Sequence, residues 1–152
     1  MVRYFEDYEV GRVYEPDGRY EVTTSEVKEF AEKYDPQPFH LDEEAAKESI
    51  FGSLAASGWH TASMCMRVFA DGFLDEESSM GARGIDELRW RKPVYPGDTL
   101  RVEVEILDKR TSESRPEMGH IRTKLRGYNQ DDDCVVEWIA LGMHRRRDTN
   151  DS

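Results

Sequence analysis

The chain is poor in cysteine, in lysine and in long apolar runs. Its two cysteines, Cys65 and Cys134, form neither a metal-ligand spacing nor a disulfide framework, so both are expected as core thiols. No stretch approaches the roughly 20 apolar residues that cross a bilayer. The start, Met1-Val2-Arg3-Tyr4-Phe5-Glu6-Asp7, lacks the basic and apolar regions of a signal peptide, and a cytoplasmic protein with no membrane partner is expected. Lysines number 6 against 15 arginines, and 32 acidic residues outweigh both, leaving a formal net charge of −11. That imbalance argues against a phosphate-reading surface, and hence against nucleic acid as a partner. Halophiles use such charge to keep proteins soluble, so dependence of folding on molar salt is one expectation; an ordinary acidic protein is the other.

What is present reads as one domain, with a body over residues 1–147 and a frayed tail over 148–152. Tyr8 to Tyr14 alternates like a short strand before the turn signal Pro16-Asp17-Gly18. Thr23 and Thr24 offer N-caps, and Val27, Phe30, Ala31 and Tyr34 recur at helical spacing up to Asp35-Pro36. Asp42 caps a second short helix, reaching about Ser49, with Glu43 and Glu44 at the positive end of its dipole. From Gly58 to about Asp71 runs the most apolar helix, with apolar side chains around most of its circumference; Trp59 and Met66 are expected in the core or lining a pocket. Four period-two segments follow, near residues 85–92, 100–106, 121–125 and 135–143, and they predict a meandering antiparallel sheet wrapped around that helix. The fold class is therefore α+β.

Between the first two helices, Asp35-Pro36-Gln37-Pro38-Phe39-His40 places a carboxylate and an imidazole on a backbone stiffened twice by proline. Two readings are open for these residues alone. One is an acid/base pair that can hold a water; the other is a helix end, a turn and a half-buried histidine. His60, His120 and His144 have no matching carboxylate or cysteine spacing, so no metal site is expected, and His60 reads as structural.

Taken with Ala56-Ser57-Gly58-Trp59-His60-Thr61-Ala62-Ser63 and Pro93-Val94-Tyr95-Pro96-Gly97-Asp98-Thr99-Leu100, that loop resembles the MaoC-like dehydratases, the family that includes R-specific enoyl-CoA hydratases. The resemblance covers nearly the whole chain. It implies a single hot dog domain, a homodimer, an acyl-CoA thioester as substrate and no further cofactor. It also implies that Asp35 and His40 activate a water and that a backbone N–H at Gly58 polarises the thioester carbonyl. Ser63 and Gln37 fall at positions near the substrate in that family, although Gln37 stands where asparagine is usual and Ser57 where histidine is usual. Arg91, beside the Pro-Val hairpin, could receive the phosphates of coenzyme A. Alternatives are a hot dog thioesterase and a noncatalytic acyl-CoA-binding subunit.

Overall fold

In the computed structural model, residues 1–147 are described, and the expected tail lies outside them. The alternating second half forms four long antiparallel strands, β3 (Ser79–Trp90), β4 (Thr99–Thr111), β5 (Met118–Tyr128) and β6 (Cys134–Arg145). Leu100, Val102, Val104 and Ile106 of β4 all point inward and are buried, so a one-residue slip of register would turn that whole row to water. Two short strands, β1 (Val13–Tyr14) and β2 (Tyr20–Glu21), both pair with β4.

The sheet order β1-β4-β5-β6-β3 departs from a simple meander. β3 does not lie beside its sequence neighbour β4; it pairs with β6, with Ile85 opposite Ala140 and Trp90 opposite Val136. Its place beside β4 is taken by β1 and β2. Residues 91–98 make the crossing, since a chain of that length extends roughly 25 Å and strands stand about 4.8 Å apart.

The first half supplies the helices. In α1 (Thr24–Tyr34) the Thr23 hydroxyl oxygen accepts the Glu26 N–H at 3.3 Å, and Val27 and Ala31 are buried. Pro38 opens a helical turn, α2 (Pro38–Leu41), that the sequence does not announce. A proline at the first helical position suits that place, because the N–H it lacks has no partner there anyway. Asp42 caps α3 (Glu43–Lys47), accepting the Ala45 N–H at 3.0 Å.

The apolar helix, α4 (Gly58–Gly72), packs against the inner face of the sheet through Thr61, Met64, Cys65, Val68 and Phe69. Helix and sheet come close at Gly127, where an added Cβ would fall 2.6 Å from the Cys65 sulfur. Cys65 is the core thiol expected, whereas Cys134 is only partly buried. The sheet wraps α4 as expected, but the helix is not buried around its whole circumference. Sheet and short helices cover one side, leaving Trp59 55% and Met66 42% exposed on the other.

Candidate active site

Proline geometry brings the ends of the loop together. Gln37, before Pro38, is extended (φ −93°, ψ 143°), and its N–H bonds the Asp35 carbonyl at 2.8 Å to close a tight turn over Pro36. Asp35 itself sits at φ −151°, ψ 68°, with its N–H on the Ala31 carbonyl at the end of α1. The result sets Asp35 Oδ2 3.5 Å from His40 Nε2.

The imidazole is held on its other side. His40 is 4% exposed, and its Nδ1 lies 2.7 Å from the Ala55 carbonyl oxygen, which can only accept. Nδ1 therefore carries the hydrogen, and in the neutral ring Nε2 keeps the lone pair facing Asp35. Phe39 packs edge-on against the ring at 4.6 Å.

The carboxylate is held by two side-chain donors. Ser57 donates to Oδ2 at 2.7 Å and Gln37 donates to Oδ1 at 2.6 Å. Burial alone would raise the carboxyl's pKa. The Ser57 and Gln37 hydrogen bonds and the nearby His40 outweigh that burial and hold it below the usual value, so the group stays ionised.

Ser57 is the site residue the sequence conceals. A serine just before a helix reads as an N-cap, yet this one makes no cap bond, because its hydroxyl is turned to Asp35. The first turn of α4 is consequently uncapped by a side chain. Thr61 N–H on the Ser57 carbonyl, at 2.9 Å, begins the helical ladder, so the N–H groups of Gly58, Trp59 and His60 precede it. They form the positive end of a 15-residue helix.

Gly58 is not held by a tight turn alone. An added Cβ would lie 2.5 to 2.8 Å from three atoms of the Trp90 indole, which rests directly on the glycine. Trp90 in turn meets Trp59 edge-to-face, with ring centres 5.2 Å apart. Asp35, His40, Gly58 and both tryptophans line one cleft of about 550 Å³.

The other candidates are placed differently. Gln37 lines that cleft while holding Asp35. Arg91 also lines it, but its guanidinium is engaged by Glu137 at 2.5 Å. Ser63 stands apart: it is exposed, lines a neighbouring cleft, and donates back to the Trp59 carbonyl at 2.7 Å, as a serine in mid-helix commonly does. His60 faces that second cleft too, stacked on Phe30 at 4.7 Å with Nε2 3.5 Å from Glu26. His120 and His144 lie in strands β5 and β6. Among the described residues no group of three or more His, Cys, Asp or Glu side chains is placed to hold a metal ion. Nor is any helix among them long and apolar enough to cross a membrane.

The MaoC-like domain family matches residues 6–126. The chain belongs to that family. A MaoC-like dehydratase from Rhodospirillum rubrum is 40% identical and superposes with a TM-score of 0.89, over 97% of this chain and 99% of that one. The uncharacterized protein YdeM of Bacillus subtilis is 32% identical over 87% of this chain and 92% of its own length. The 3-hydroxybutyryl-CoA dehydratase of Methylorubrum extorquens is 36% identical over 70% of this chain and 66% of that protein. The antiparallel sheet folded over α4 is the hot dog fold. In this MaoC-like domain Asp35, His40 and the start of α4 share one cleft.

Proposed function

We propose that the protein is a hydro-lyase that reversibly adds water to a trans-2-enoyl-CoA thioester, giving an R-3-hydroxyacyl-CoA. The observation that carries this reading is the Asp35–His40 pair at 3.5 Å, with His40 Nδ1 bound to Ala55, facing the open first turn of α4 across one cleft. The similarity to a 3-hydroxybutyryl-CoA dehydratase supports it.

The chemistry follows from the hydrogen bonds. A water held between Asp35 Oδ2 and His40 Nε2 is aligned by the ionised carboxylate, which is a weak proton acceptor because Ser57 and Gln37 already occupy it. His40 Nε2 takes the water's proton as its oxygen bonds C3 of the enoyl group. The C2–C3 π pair moves toward the thioester carbonyl, whose developing negative charge is stabilised by the Gly58 N–H and the helix terminus. The imidazolium then returns a proton to C2, and the carbonyl re-forms. No metal or redox group takes part in these steps.

A homodimer belongs to the same reading. β3 ends the sheet with β6 as its strand partner, and it exposes Ile85 and Trp90, 48% and 46% accessible. Such an edge is a template for a second copy of the chain. The test of function is incubation with an enoyl-CoA, following loss of the conjugated-enoyl absorbance and release of free thiol together. Hydration removes the absorbance without thiol; release of thiol marks a thioesterase.

A further inference from the structure

We infer that Thr61 is a further catalytic residue, whose hydroxyl donates to the thioester oxygen beside the Gly58 N–H and completes an oxyanion hole. The inference rests on the hydratase reading above, and adds a side chain that its steps leave unused.

Exposure separates the floor of the cleft from its rim. His40, Ala56, Thr61 and Val94 line it at 1 to 7% exposed, whereas Trp59 and Trp90 stand about half accessible. Thr61 therefore shares the floor with the reacting imidazole. His40 is engaged there by Ala55 and Asp35, but the Thr61 hydroxyl bonds none of the described residues. Ser63, two residues on, turns its hydroxyl back to the carbonyl four residues earlier; Thr61 makes no such bond to Ser57. Nor is the Thr61 oxygen sealed in, since the fully enclosed polar atoms without a partner belong to Tyr8, His60, His120 and His144. Burying a hydroxyl without a partner carries a desolvation cost that a valine of similar shape avoids. A ligand in the cleft is the partner this one lacks.

The helix supplies the direction. Side chains of an α-helix lean toward its N-terminus and cover the preceding turn. Thr61 follows Gly58 by three residues, so the two are neighbours on one face, and glycine places no side chain between them. The free N–H groups of the first turn point the same way, out along the helix axis. A thioester oxygen that accepts the Gly58 N–H is thereby brought to the Thr61 hydroxyl. Both donors act more strongly on the enolate oxygen than on the ground-state carbonyl, so the hydroxyl serves the reaction more than binding.

The test uses Thr61→Val and Thr61→Ala, which drop the hydroxyl, and Thr61→Ser, which keeps it, each verified as folded. Hydration of crotonyl-CoA is followed for kcat and KM. The carbonyl stretch of bound butanoyl-CoA, isotopically labelled at that carbon, is read by infrared difference spectroscopy, because this saturated thioester cannot be hydrated. Thr61→Val is expected to lower kcat about 100-fold with KM within about threefold of the wild type, and to raise the stretching frequency of the bound carbonyl. Thr61→Ser is expected to keep the lower frequency and to stay within about tenfold of the wild-type kcat. A stretch unmoved in the variants without the hydroxyl, or kcat lost as fully in Thr61→Ser as in Thr61→Val, overturns the inference while hydration by the wild type stands. A stretch that moves as expected in a protein that hydrates no enoyl-CoA overturns the hydratase reading alone, and failure of the wild type to bind the thioester overturns both.

Discussion

The Ser57 hydroxyl donates to Oδ2 of Asp35 across 2.7 Å, joining the residue before the central helix to the residue that ends the first one. Ser57 is fully buried and Asp35 is partly so, which leaves the bond half-sheltered from solvent. Ser57→Ala removes a donor from a carboxylate, which is worth roughly 1.5–3 kcal/mol, and turnover should fall by about 10- to 100-fold. Because that donor lowers the Asp35 pKa, its loss raises it, and the acidic limb of kcat/KM should move to higher pH. A pH–rate profile of the variant checks both; an unmoved limb would show that Ser57 does not act through Asp35.

Gly58→Ala forces a methyl group into the Trp90 indole, and overpacking of this kind costs about 1–3 kcal/mol. Removing the indole should relieve the clash, so Gly58→Ala/Trp90→Ala should be less destabilised than the sum of the single changes. A double-mutant cycle in urea measures that coupling. Additive effects would mean the backbone moves instead.

How much of this was legible in the sequence follows from the residues concerned. The closeness of Asp35 and His40 is legible because two prolines fix their separation locally, while reading them as an acid/base pair needed the resemblance to the MaoC-like family as well. Ser57 is not legible, since its partner is 22 residues away and a pre-helical serine has a commoner use. Trp59 and Met66 read as core or pocket lining because α4 is apolar on nearly every side; Trp59 lines the cleft and Met66 is exposed, and periodicity cannot tell a buried face from one left for ligand or partner. The strands were plain, but the pairing of β3 with β6 was not, because strand order is set by non-local contacts.

His144 supplies a pH prediction for stability. It is 3% exposed, packs 5.1 Å from the Tyr8 ring, and burial pushes its pKa from 6.5 down to about 4. The unfolded chain therefore binds a proton near pH 6.5 that the folded chain refuses until about pH 4. Stability from this group is fully present above pH 6.5 and falls as pH drops through that window, by roughly 3 kcal/mol at most. His144→Leu should lose less stability than the wild type between pH 7 and pH 4.5, as read by urea unfolding. Identical losses would assign the acid sensitivity elsewhere.

Ile85 lies in the middle of β3 and is 48% exposed. If a second copy covers this edge, Ile85→Lys should shift sedimentation from dimer to monomer while the far-ultraviolet circular dichroism is kept. A wild type that sediments as a monomer would contradict the dimer.

The most direct measurement follows enoyl absorbance and thiol release for crotonyl-CoA with the wild type, Asp35→Asn and His40→Ala, each verified as folded. The expected result is loss of absorbance without thiol in the wild type, and about a hundredfold or greater loss of rate in either variant. Thiol release by the wild type, or undiminished hydration by a folded Asp35→Asn, would contradict the assignment of the pair.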